Sequence, residues 1–105
     1  MPESKRLAPD IEQIKITICR YYELNEDRLY LTKRAVFNEP RAIGLYLSRS
    51  LRGDSLKDIG KQFKIDNYST VSSIIERFKE HMQSDRGLAE RVAQVRQEIM
   101  RQGQT

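Results

Sequence analysis

Two runs of apolar residues at helical spacing, separated by a short polar break, constrain this chain more than any other feature. In Ser55-Leu56-Lys57-Asp58-Ile59-Gly60-Lys61-Gln62-Phe63, the residues Leu56, Ile59 and Phe63 share one helix face. Beyond Lys64 to Tyr68, the residues Val71, Ile74, Ile75, Phe78 and Met82 recur at the same spacing. Asp54 or Ser55 can cap the first helix, with Asp58 at capping-box distance from Ser55. Asp66 or Asn67 can cap the second by accepting a hydrogen bond from a free amide of its first turn. Gly60 weakens the first helix, so its presence implies that the second packs closely against it. The segment therefore reads as two short helices joined by a tight turn. Asn67, Tyr68, Ser69, Ser72, Ser73, Glu76 and Arg77 fall largely off the apolar stripe. A helix that opens with short hydrogen-bonding side chains can enter a DNA major groove. The plainer alternative is an ordinary pair of bundle helices, because this periodicity is not specific by itself.

Charge favours the first reading. The chain carries 19 Lys and Arg against 15 Asp and Glu, a net charge of +4. From Arg28 to Lys64 the nine basic residues (Arg28, Lys33, Arg34, Arg41, Arg49, Arg52, Lys57, Lys61 and Lys64) face only Glu39, Asp54 and Asp58, so this segment carries +6. A positive field just before the second helix suits phosphate contacts.

The rest of the sequence predicts an all-α chain of six helical segments. Met1 to Ala8 is expected to be a disordered tail, and residues 9–105 one domain. Pro9 opens a helix with the stripe Ile11, Ile14, Ile18 and Tyr22; a short helix follows Asn25, anchored by Leu29. Leu31 to Asn38 reads as a basic loop. Pro40 begins a helix with the stripe Ile43, Leu47 and Leu51, which Gly53 ends as a left-handed cap. Asp85 caps a last helix carrying Leu88, Val92, Val95 and Ile99. No apolar run is long enough to span a membrane, no signal peptide is evident, and one cysteine fits a reducing, cytoplasmic setting.

Taken in order, Ile18 to Tyr22, Asp27-Arg28-Leu29, Pro40-Arg41, Ser55-Leu56-x-x-Ile59-Gly60-x-x-Phe63 and Ser69-Thr70-Val71 resemble the C-terminal DNA-binding domain of the bacterial replication initiator DnaA, from about Asp10 to Arg101. The resemblance implies a Trp-repressor-like helical bundle whose helix-turn-helix binds a short duplex motif. It also implies roles for individual residues. Asn67, Tyr68, Ser69, Thr70 and Ser73 are the expected base-reading residues. Lys33, Arg34, Ser55, Lys57, Lys61 and Arg77 are the expected phosphate contacts, with Lys33 or Arg34 matching the family's minor-groove residue by loop position only. The chain also departs from the family. Asp66 stands where the family has Arg, Asn67 where it has Asp, and Tyr68 where it has His. A site different from the initiator's box is therefore expected. The Tyr68-Ser69-x-Val71-Ser72 form resembles DnaA-like domains associated with transposases of repetitive palindromic elements.

Catalytic chemistry is not expected. Between Gly53 and Gly60-Lys61 lie six residues, and Gln62 follows the lysine, so this is not a phosphate-binding loop. His81 reads as a surface residue and not a metal ligand, and Cys19 as a small core residue. We expect no enzyme activity, cofactor, metal, membrane or small-molecule substrate. The expected partner is double-stranded DNA, with possible fusion to or association with a larger replication or transposition protein. The alternative is a protein-interaction module, or a transposase-associated accessory domain, that keeps the fold without base readout; Asp66 and Glu76 favour it.

Overall fold

Each apolar stripe becomes one side of a helix in the computed structural model, which describes residues 9–31 and 37–102. The elements in order are α1 (Ile11–Tyr22), a 3₁₀ helix (Glu26–Tyr30), α2 (Glu39–Leu47), a π-helical turn (Ser48–Arg52), α3 (Leu56–Gln62), α4 (Tyr68–Ser84) and α5 (Arg86–Gln102). Among the described residues there is no strand. The all-α expectation holds, while Met1 to Ala8 and the loop residues Lys33 and Arg34 lie outside the described residues.

α2 sits at the centre and packs on α1, α4 and the 3₁₀ helix, while α5 closes the bundle against α1 and α4. The shared core comprises Ile14 and Ile18 of α1, Leu29, four residues of α2 including Ile43 and Leu47, the pair Ile59 and Phe63, and Val71, Ile75 and Phe78 of α4. Leu88, Val92, Val95 and Ile99 of α5 complete it. Most of these are residues of the sequence stripes, joined by Ala42 and Leu45 of α2, while the stripe residues Ile11, Tyr22, Leu51, Leu56, Ile74 and Met82 are only partly buried at the edge; each helix can remove its apolar face from water only against another.

The helix ends are fixed by side chains. Asn38 Oδ1 accepts from the Arg41 amide (3.1 Å), and its Nδ2 donates to the carbonyls of Arg28 (2.8 Å) and Leu31 (3.1 Å). Asn38 therefore joins the start of α2 to the end of the 3₁₀ helix. Asp85 Oδ1 accepts from the Leu88 amide at 3.1 Å, as a cap of α5.

The segment read as one helix from Pro40 to Gly53 divides after Leu47. Its last part widens into the π turn, and Gly53 closes it at φ 71°. Arg52 pairs with Asp54 (2.7 Å) and donates to the Pro9 carbonyl (2.6 Å), while Arg49 donates to the Asp54 carbonyl (2.6 Å). These tertiary bonds hold a wider turn that a 3.6-residue pattern does not encode.

A polar network ties three helices together. Arg91 of α5 grips Glu39 with two hydrogen bonds (2.7 and 3.0 Å), and the Tyr22 hydroxyl donates to the same carboxylate. Burial opposes ionisation of Glu39, but the hydrogen bonds from Arg91 and Tyr22 outweigh it and hold the carboxyl below its ordinary value.

Candidate nucleic-acid interface

The geometry of the helix pair starts with its caps. Ser55 Oγ accepts from the Asp58 amide (3.1 Å), so Ser55, rather than Asp54, caps α3. α3 ends at Gln62, and Lys64 turns the chain in the left-handed region at φ 58°. The Ile65 amide then donates back to the Gly60 carbonyl at 2.8 Å. A Cβ at residue 60 would lie 2.7 Å from the Ile65 carbonyl oxygen and 3.4 Å from a Val71 methyl. Only glycine fits where the turn and α4 close on α3. Asn67 Oδ1 accepts from the Ser69 amide (2.8 Å) and is the cap of α4; Asp66 is not.

Underneath the turn lies a residue that the sequence stripes did not single out. Lys15 of α1 is only 4% exposed. Its ammonium donates to the Gln62 carbonyl at the end of α3 (2.6 Å) and to the Tyr30 hydroxyl (2.9 Å). It also lies 5.1 and 5.2 Å from the ring centroids of Tyr30 and Phe63. A buried cation survives only with such partners, and here they fix α3 to α1. The signal was present in the sequence: Lys15 follows Ile11 by four and precedes Ile18 by three, in register with the apolar face.

α4 presents opposite faces to core and solvent. Val71, Ile75 and Phe78 are buried, whereas Ser69, Thr70, Ser73 and Arg77 are exposed and recur at intervals of three and four along the other side. Tyr68 is 60% exposed and falls three and seven residues before Val71 and Ile75, towards the α3 side. There it lines an open groove with Lys57, Lys61, Lys64, Ile65 and Asp66, floored by Gly60. The structure thus divides the expected site residues. Lys57, Lys61 and Tyr68 gather at the groove; Ser69, Thr70, Ser73 and Arg77 form the exposed face of α4; Ser55 and Asn67 are helix caps, both exposed.

The basic segment is not uniformly available. Arg52 is neutralised by Asp54, and Arg41 is half-buried, which pushes its guanidinium below its ordinary value. Among the described residues, no ion pair neutralises Lys57, Lys61 or Lys64. On the exposed side of α4, Glu76 pairs with Lys79 at 3.3 Å.

His81 is exposed, its ring 5.3 Å from that of Phe37. Cys19, expected in the core, packs only at its edge. It is half-buried, and burial first and the Glu26 carboxylate second push its thiol up, away from reactivity. Among the described residues, no helix is long and apolar enough to cross a membrane.

Comparison with known proteins finds a matching family and relatives. A family described as the bacterial DnaA protein helix-turn-helix matches residues 11–77. The chromosomal replication initiator protein DnaA of Limosilactobacillus fermentum is 34% identical over 76 residues, covering 71% of this chain and 17% of that protein. The proteins of the same name from Jannaschia sp. and Bartonella quintana are each 30% identical, over 81 and 88 residues, covering 76% and 83% of this chain. The chain spans 17% of the length of each of these relatives.

Proposed function

This chain belongs to the bacterial DnaA helix-turn-helix family, and on that premise we propose that it binds double-stranded DNA through α4 as a non-catalytic module. Family membership implies DNA binding; the finer assignment rests on one observation. α4 is locked into the core by Val71, Ile75 and Phe78, and it directs Ser69, Thr70, Ser73 and Arg77 outward beside a groove edged by Lys57 and Lys61. A rigid helix with short polar residues near its start and cations alongside suits a major groove and its flanking phosphates.

In this reading Ser69, Thr70 and Ser73 meet base edges. Asn67 acts first as the cap, which leaves its Nδ2 group for a base or phosphate acceptor. Tyr68, turned towards the lysines, rests on the sugar-phosphate backbone or a thymine methyl. Lys57, Lys61 and Arg77 hold phosphates, joined by Ser55 and, from the basic loop, Lys33 and Arg34. Asp66 and Tyr68 in place of Arg and His move the preferred site away from the initiator's box. The work takes place in the cytoplasm, alone or attached to a larger replication or transposition protein.

A second reading, a protein-interaction module or a transposase-associated accessory domain without base readout, draws on the carboxylate of Asp66 at the groove. Retardation of random duplex at low salt separates the two. The DNA reading expects binding that weakens for all sequences alike when Lys57, Lys61 or Arg77 is neutralised, with the salt slope falling by about one for each phosphate no longer held. No binding by the unmodified protein, or no effect of any of these changes, contradicts it.

A further inference from the structure

Lys64 is held in a conformation that a lysine adopts only at a cost. Its φ of 58° belongs to the left-handed region, where glycine is the unstrained choice. The position also closes a run of like charge. Lys57 and Lys61 stand four apart on α3, so their ammonium groups share one face, and Lys64 joins them along the same groove. Like charges at this spacing repel. Strain and repulsion thus converge at one place, and a strained residue that the fold retains is a candidate for function.

The side chain of Lys64 is also placed. Its ammonium lies 4.5 Å from the centroid of the Tyr30 ring. That ring is itself pinned: the Tyr30 hydroxyl accepts from buried Lys15 at 2.9 Å and donates to Glu26. A fixed aromatic face under the ammonium reduces the freedom that a long exposed side chain loses on gripping a partner. Asp66 lines the same groove and repels an anion near it, so the receptive part is the edge formed by the three lysines.

We infer that Lys64, set in place by its left-handed turn and the Tyr30 ring, completes with Lys57 and Lys61 a site for a backbone phosphate of bound duplex DNA. The inference rests on the DNA-binding reading above and extends it to a residue at the turn itself. A phosphate bridging these ammonium groups relieves their mutual repulsion and releases counterions.

The test measures affinity for one random-sequence duplex across a salt series, using the full chain. Lys64→Gln keeps an unbranched polar side chain, one atom shorter, and removes the charge; Lys64→Gly removes charge and backbone strain together; Lys64→Arg keeps the charge. Arg101→Gln, an equal charge change at an exposed position of α5 that does not line the groove, is the control. Circular dichroism verifies that each variant is folded. Lys64→Gln and Lys64→Gly should each weaken binding roughly five- to tenfold at about 0.1 M salt and lower the salt slope by about one. Lys64→Arg should bind like the unmodified protein, and Arg101→Gln should leave the slope unchanged. If the unmodified protein binds and both uncharged variants match it in affinity and slope, this inference is overturned while the DNA-binding reading stands. If Arg101→Gln has the same effect as Lys64→Gln, the effect is one of net charge and the site is again overturned. If the unmodified protein binds no duplex, both fall.

Discussion

Residue 60 shows how one position fixes the geometry of the site. In an exposed helix interior, Gly→Ala gains about 1 kcal/mol of helix propensity. Here the added methyl would meet the Ile65 carbonyl oxygen at 2.7 Å, a backbone atom that cannot swing away. We expect Gly60→Ala to destabilise by about 1–3 kcal/mol, seen as a lower urea midpoint; an unchanged or raised midpoint would show that α3 and α4 are not closely apposed there. Phe63 is fully buried under the same turn, and Phe63→Ala should cost about 3–5 kcal/mol in the same assay. Specificity also belongs to single residues. Because Asn67 caps through its side-chain oxygen, an aspartate there can cap equally well. The triple change Asp66→Arg, Asn67→Asp, Tyr68→His should therefore keep the fold and shift preference towards the initiator's box, each good base contact contributing about 1–3 kcal/mol. Competition between that box and a selected site checks it; an unmodified protein that already prefers the box contradicts it.

At the scale of elements, the apolar stripes were legible because burial acts on them directly. Ile14 and Ile18, Ile43 and Leu47, Val71 with Ile75 and Phe78, and Leu88 to Ile99 all face one core. The caps at Ser55, Asn67 and Asp85 were narrowed by sequence to one or two residues each, and geometry chose among them. Less legible was whatever depends on contacts between distant residues. The π turn at Ser48–Arg52 follows from bonds of Arg49 and Arg52 to Asp54 and Pro9, and no local pattern encodes them. Lys15 escaped notice because lysine is rarely a core residue, and its partner is a carbonyl 47 residues away. The Tyr22–Glu39–Arg91 network is of this kind too, joining α1, α2 and α5. Its pH dependence has a definite sign. The fold holds the Glu39 carboxyl below its ordinary value of 4.5, so it favours the ionised form. The resulting stability is complete above that value and is lost as pH falls below it, through the folded-state pKa. Glu39→Gln should therefore lower stability at pH 7 and shrink the loss between pH 7 and acid, as read by thermal unfolding across pH. An acid loss as steep as that of the unmodified chain would remove Glu39 from this role.

For the whole molecule, fold and family agree. The bundle is all-α, the family match covers residues 11–77, and the helix pair Leu56–Gln62 and Tyr68–Ser84 stands within or across that span. The basic charge counted along the sequence is redistributed by folding: Arg49 and Arg52 serve the structure, whereas Lys57, Lys61 and Lys64 line the groove beside α4. Sequence alone located the helix pair and singled out Lys57 and Lys61, but not Lys64 as their neighbour in the groove, because that depends on where the turn sends the chain. The central claim is that α4 reads duplex DNA at a site of its own. Selection of bound duplexes from a random pool tests it most directly. We expect one motif to be enriched, distinct from the initiator's box and bound at least about tenfold more tightly than random duplex, the equivalent of one base contact of about 1.4 kcal/mol. A pool that stays random through successive rounds, with no duplex retained even at low salt, would contradict it.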